Sequence, residues 1–114
     1  MPLITTQEAT ELEERYTTTR GDFLDQHLGY EDTNCFEVSI EDLKEFIEQV
    51  ESESADKGYK NIGLAIYMGA TAPNGEGKTF ATTFITATRD NGEINSTDIQ
   101  PLDGFVGKTK KYDC

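Results

Sequence analysis

Apolar residues recur at two different spacings along this chain, and the spacing changes near Asn61. Before Asn61 they lie three and four positions apart in two segments, the period of one helical face. The first segment contains Leu12 and the second is centred on Phe46. This spacing predicts α-helices over residues 5–19 and 40–57.

Residues typical of helix ends bound both segments. Thr5 followed by Glu8 has the sequence of a capping box, and Ser39 is a favourable N-cap. Gly21 follows a run of threonines and predicts the end of the first helix. Gly58 tolerates the left-handed conformation of a helix C-cap and predicts the end of the second.

The spacing after Asn61 has a period of two, as in β-strands. Apolar, β-branched and aromatic residues predict strands over about 61–69, 79–88 and 94–99. The tail over 101–114 contains Pro and Gly and predicts irregular structure.

Two helices followed by short strands predict an α+β fold. The 114 residues predict a single domain, with an antiparallel sheet of about three strands and both helices packed on one face. The predicted core takes large side chains from both helices and from the first two strands: Leu12, Tyr16, Leu43, Phe46, Ile47, Val50, Ile62, Leu64, Ile66, Phe80 and Phe84.

The segment APNGEGKT, residues 72–79, matches the loose pattern of a phosphate-binding loop. Such a loop must lead into a helix, whose amino end contributes positive potential at the phosphate. Thr79 instead opens a stretch of β-branched and aromatic residues. The sequence therefore predicts a loop between two antiparallel strands and no nucleotide cofactor.

The chain is strongly acidic, with 22 Asp and Glu against 10 Lys and Arg and a net charge of -12. Residues 1–56 hold 16 of the acidic residues and three of the basic ones. Such a surface repels nucleic acid and anionic membranes and attracts basic proteins or cations. A well-solvated surface is the alternative explanation of the same charge.

The charge predicts a non-enzymatic interaction protein that binds a basic protein partner. An inhibitor that imitates nucleic acid, for example one directed against a nuclease, is a specific form of this hypothesis. The predicted contact residues are Glu41, Glu45 and Glu48 on the polar side of the second helix, together with Tyr67.

A small-ligand or metal-binding module is the alternative function, with its site near Tyr67 and the 70–78 loop. Residues 90–98 offer several oxygen donors, but their Gly stands at the third position and not at the sixth, as a calcium loop requires. The stretch therefore predicts a polar turn. The sequence predicts neither a bound metal nor an organic cofactor.

An enzyme that uses His27 or Cys35 is a third hypothesis. His27 is the single histidine, and no nucleophile partner is evident near it. Cys35 lies among acidic residues, which disfavour a thiolate. The sequence leaves open whether Cys35 and Cys114 form a disulfide bond.

The middle of the chain combines four recognisable features. They are an acidic helix, a Lys-Gly-x-x-Asn-hydrophobic-Gly step over 57–63, a strand with Tyr67 and Gly69, and the Thr/Phe-rich strand 79–88. The combination resembles a family of small uncharacterised proteins of Bacteroidetes-type bacteria. The resemblance implies a compact α+β unit and no known activity. Ala65 stands where the family implies a basic residue in the first strand.

The opening residues have neither the basic start nor the apolar core of a signal peptide. No apolar run approaches the roughly 18 residues of a membrane helix. The sequence thus predicts a cytoplasmic protein without a membrane span.

Overall fold

The fold was analysed in a computed structural model, which describes residues 1–90, 92–94, 99–103, 105–109 and 112. Its helices and small antiparallel sheet confirm the predicted α+β class. Contacts divide the chain into two compact units, and the single domain stays a prediction. The units are Met1–Cys35 with Gly107–Cys114, and Phe36–Val106.

The first unit contains one extended helical segment. Helix α1 (Thr6–Tyr16) begins at the predicted capping box, where the Glu8 amide donates to the Thr5 hydroxyl at 3.0 Å. The backbone then continues through a π-helical turn (Thr17–Gly21) into helix α2 (Asp22–Leu28). The prediction that the helix over 5–19 ends at Gly21 is therefore wrong.

The residues that predicted a break instead accommodate the wider π-helical turn. The hydroxyls of Thr18 and Thr19 both donate to the carbonyl of Arg15, which adds side-chain hydrogen bonds to the backbone of this turn. Gly21 lies against Tyr16, whose ring comes within 3.5 Å of the point a Cβ would occupy. The helix ends at Gly29, whose positive φ of 83° suits a glycine.

Two short strands lie where the chain passes between the units. Strand β1 (Cys35–Glu37) pairs with strand β5 (Val106–Lys108) in a two-stranded sheet. The prediction of irregular structure over 101–114 is therefore wrong for β5, because the pairing with β1 supplies hydrogen bonds that a short local segment cannot make alone.

The second unit begins with helix α3 (Ile40–Asp56), close to the predicted range. The Ser39 hydroxyl accepts from the Asp42 amide at 3.0 Å, as expected of an N-cap. At the other end, the amide of Gly58 donates to Ala55 and the amide of Tyr59 to Ser54. These two bonds form a Schellman motif, which positions the chain for the strand that follows.

The sheet of the second unit contains three strands in the order β2-β3-β4. β2 (Gly63–Ala70) pairs antiparallel with β3 (Ala81–Arg89), and β3 pairs antiparallel with β4 (Glu93–Ile94). The third predicted strand, 94–99, lies mostly outside the described residues.

The segment APNGEGKT forms the loop between β2 and β3, as predicted. Inside the loop, the Asn74 side-chain oxygen accepts from the amides of Glu76 and Lys78 at 2.9 and 3.0 Å. Gly77 has the positive φ of 75° that the turn requires. These amides therefore satisfy a side chain of the loop, and a strand follows in place of a helix.

The core of the second unit lies between α3 and one face of β3. Phe46 and Val50 from α3 are buried against Ile85, Ala87 and Ile99. Half-buried side chains extend this cluster: Leu43, Leu102 and Phe105. Phe46 and Val50 confirm the predicted core on α3, whereas Ile85, Ala87 and the residues of the tail were not predicted.

The remaining predicted core residues are less buried than expected. Leu12, Ile47, Ile62, Leu64 and Ile66 are all exposed, so these core predictions are wrong. Three other predicted core residues are half-buried: Tyr16, Phe80 and Phe84. The strand residues differ because the register places Phe84 opposite Tyr67, while Ile85 lies opposite Ile66. Ile85 packs in the core with α3, and neighbouring residues of a strand point to opposite faces. Phe84 and its cross-strand partner Tyr67 therefore lie on the face away from α3.

Ser54 offers a test of the packing beneath α3. Its side chain is buried, and its hydroxyl finds no hydrogen-bond partner among the described residues. We expect Ser54→Ala to raise the free energy of unfolding by about 0.5–1.5 kcal/mol, because the variant removes an unsatisfied polar group and favours the helix. Urea denaturation measures this change. Exposed Ser52→Ala is the control for helix propensity, and an equal gain there would contradict the role of burial.

Candidate functional site

The predicted contact residues on α3 lie on its solvent side. Glu41, Glu45 and Glu48 are exposed and recur at helical spacing along one stripe. Two ion pairs of the described chain join Lys78 to Glu76 and Arg89 to Asp90. Neither pair involves Glu41, Glu45 or Glu48, which therefore present negative charge to the solvent.

Tyr67 lies apart from these glutamates. Its ring stacks on Phe84 with centroids 5.5 Å apart and an interplanar angle of 10°. Phe84 lies on the face of the sheet opposite to α3, so Tyr67 does as well. The structure does not bring together the four residues predicted to bind a partner.

The residues of the other functional hypotheses are also scattered. His27 is exposed on α2, and Cys35 is a half-buried free thiol in β1. Among the described residues, no group of three or more His, Cys, Asp or Glu side chains could hold a metal ion. Asp90 forms its ion pair with Arg89. Three of the possible oxygen donors over 90–98 lie outside the described residues: Asn91, Asn95 and Asp98. Cys114 lies outside them as well.

A cleft that sequence reasoning missed lies in the first unit. It has a volume of about 420 Å³ and is formed by the helical segment, the connection after α2 and Thr109. Six carboxylates line it, and no Lys, Arg or His is among the lining residues. We call it the acidic cleft. Its carboxylates are Glu13, Glu14, Asp22, Asp25, Glu31 and Asp32.

Hydrogen bonds fix one wall of the acidic cleft. The Asp25 carboxylate accepts from the Asp32 amide at 2.9 Å, and this bond ties the connection back onto α2. The Asp32 carboxylate accepts from the Thr33 amide at 2.8 Å, while the Asp32 carbonyl accepts from the Thr109 hydroxyl. Thr33 is buried. Asp25 and Asp32 thus have structural partners within the wall.

The rest of the acidic cleft is available to a ligand. Glu14, Asp22 and Glu31 are exposed, and among the described residues no hydrogen bond or ion pair engages their carboxylates. Tyr16 and Leu24 add apolar surface among them. Carboxylates around an apolar wall suit a guanidinium or ammonium group on an aliphatic stem.

The π-helical turn explains why the cleft was missed. Thr17, Thr18 and Gly21 line it, although their sequence predicts the end of a helix. Thr109 comes from the far end of the sequence, so proximity along the chain does not connect it to the other residues. π-helical turns are often associated with functional sites, but this turn is visible only in the folded chain.

Comparisons with protein-family models, curated protein sequences and solved structures found no match to this chain. The resemblance to a family of Bacteroidetes-type bacteria stays a prediction. Among the described residues, no helix combines the length and the apolar character needed to cross a membrane.

Proposed function

We propose that this protein binds a basic protein partner, and that the acidic cleft receives a Lys or Arg side chain of that partner. The observation that supports the proposal is the lining of the cleft by six carboxylates without a basic residue. Opposite charges attract most strongly where apolar walls lower the local dielectric and focus the field. A long basic side chain fits both the carboxylates and the apolar surface.

The chain-wide distribution of charge supports the same function. The net charge of -12 draws a basic partner from a distance and raises its association rate. Exposed Glu41, Glu45 and Glu48 add to this potential on α3. The narrower hypothesis of an inhibitor that imitates nucleic acid would use that stripe of carboxylates as a substitute for phosphates.

Removing charge from the acidic cleft tests the proposal. We expect the triple variant Glu14→Gln, Asp22→Asn, Glu31→Gln to bind a fluorescent oligoarginine peptide at least about tenfold more weakly, because each lost contact is worth about 0.5–1 kcal/mol. These three side chains are exposed, so the fold should be unaffected. Fluorescence anisotropy at low salt measures the Kd.

The matched control removes the same number of charges from α3. Glu41→Gln, Glu45→Gln, Glu48→Gln should weaken binding by less than about threefold, since screening limits charges that do not touch the peptide. An oligocitrulline peptide keeps the shape without the charge and should not bind. Equal losses in the two triple variants would show that net charge alone attracts the peptide, and would overturn the assignment to the cleft.

Binding of a small organic cation is the second candidate function. The volume of about 420 Å³ lies within the ordinary range of small-molecule sites. A thermal-shift series with spermidine and arginine amide distinguishes the two functions, because only a small cation that binds tightly by itself raises Tm. If neither raises Tm while oligoarginine binds, the basic protein partner is favoured.

A further inference from the structure

β2 forms an open edge of the three-stranded sheet. It pairs with β3 on one side, and no other described strand pairs with it. The Thr71 amide donates to the Phe80 carbonyl at 2.8 Å, which continues the β2–β3 ladder. Because bonding direction alternates along an antiparallel strand, Leu64, Ile66 and Met68 direct their amides and carbonyls away from β3.

The exposed side chains of β2 are apolar as well. Ile66 and Met68 are 71% and 63% exposed, although they share the face of the sheet that α3 partly covers. Leu64 lines an apolar groove of about 250 Å³ beside Ile47 and Val50 of α3. A long, uncharged and apolar edge strand is a template for a further strand.

The sequence of β2 is close to symmetric about Ile66. Leu64 and Met68 lie two positions to either side, and Gly63 and Gly69 lie three positions to either side. An antiparallel copy centred on Ile66 would therefore set Leu64 against Met68, Ile66 against Ile66 and Gly63 against Gly69. Tyr67 would lie opposite the small Ala65 on the other face. Such self-complementarity is what a two-fold interface between identical chains requires.

We infer that β2 pairs with β2 of a second copy of this chain, antiparallel and centred on Ile66, to form one continuous sheet. Leu64 and Met68 then exchange hydrogen bonds across the interface, as the two copies of Ile66 do. Side chains that are exposed in the single chain contact their symmetry mates on the same face.

Charge favours a second copy over a basic partner at this edge. Residues 61–75 contain no charged side chain, although the chain as a whole carries -12. Two such chains repel one another least where their uncharged segments meet. A basic partner would gain more at the carboxylates elsewhere. Self-association should therefore strengthen as salt rises, whereas binding to the acidic cleft should weaken.

Measurement of mass in solution tests the inference. At ~100 μM and high salt, we expect sedimentation to give twice the 12.7 kDa of one chain. Ile66→Lys should give a single chain, because it sets two like charges against each other. Ile40→Lys is the matched control, since Ile40 is 73% exposed on α3, and it should stay dimeric.

Amide hydrogen exchange follows the proposed strand pairing directly. In the wild-type chain the amides of Leu64, Ile66 and Met68 should be protected at high concentration, and Ile66→Lys should abolish that protection. The Thr71 amide, which bonds to β3, should stay protected in both and reports an intact fold. A wild-type chain that stays single at high salt, or an Ile66→Lys variant that still dimerises, would overturn the inference.

Discussion

Phe46→Ala is expected to lower the free energy of unfolding by about 3–5 kcal/mol. Phe46 is 6% exposed and packs in the cluster with Val50, Ile85 and Ile99. Truncation removes most of an aromatic side chain and leaves a cavity that α3 and β3 close only in part. Urea denaturation followed by circular dichroism at 222 nm measures the change, since α3 contributes 17 helical residues to the signal.

The control for Phe46→Ala is the same substitution at an exposed position. Phe23 on α2 is 70% exposed, so Phe23→Ala should change stability by about 0.5 kcal/mol or less. Ile47→Ala probes the next residue of α3, which is exposed and should cost less than Phe46→Ala. If Phe46→Ala unfolds at the same urea concentration as the wild-type chain, the assigned inner face of α3 is wrong.

The sequence predicts α3 well because its local signals agree. The Ser39 cap, the spacing of Phe46 and Val50, and the left-handed Gly58 all favour the same helix. The helical segment of the first unit is harder to predict. Three threonines and Gly21 have poor helix propensity. Local contacts offset it, because the Thr18 and Thr19 hydroxyls donate to the Arg15 carbonyl and Gly21 lies against Tyr16.

Which face of each strand packs on the core is harder still to predict, because β3 has apolar residues on both faces. Phe80 and Phe84 are larger than Ile85 and Ala87, and size alone favours the wrong face. Ala87 is fully buried, so the small side chain is what allows close packing on the core side. Which residues of β2 and β3 share a face depends on the register between the two strands. The local sequence of β3 does not determine that register.

The same limit applies to the candidate site. Acidic composition predicts an affinity for basic partners without stating where the charges converge. The acidic cleft combines residues 13–34 with Thr109, and only the folded chain brings them together. The predicted contacts on α3 are exposed as expected, yet Tyr67 lies on the opposite face of the sheet. Binding to the cleft and pairing through β2 use different surfaces and respond to salt in opposite directions, so each can be tested without the other.

Ile99→Ala is expected to lower the free energy of unfolding by about 2–5 kcal/mol. Ile99 is 1% exposed in the core beneath α3, although the sequence shows no strong periodicity around it. The following residues hold it in place, since Leu102 exchanges backbone hydrogen bonds with Ile85 at 2.9 and 3.0 Å. Loss of its side chain leaves a cavity that this anchored segment cannot easily close.

A graded series distinguishes packing from other effects at Ile99. Ile99→Val removes one methylene group and should cost about 0.5–1.5 kcal/mol, between the wild-type chain and Ile99→Ala. Ile40→Ala makes the same change at an exposed position of the second unit and should stay within about 0.5 kcal/mol. Equal stability of the wild-type chain and the three variants would mean that Ile99 does not complete the core. A cost that grows with each lost carbon would show that α3 and the three-stranded sheet need Ile99 to exclude water from between them.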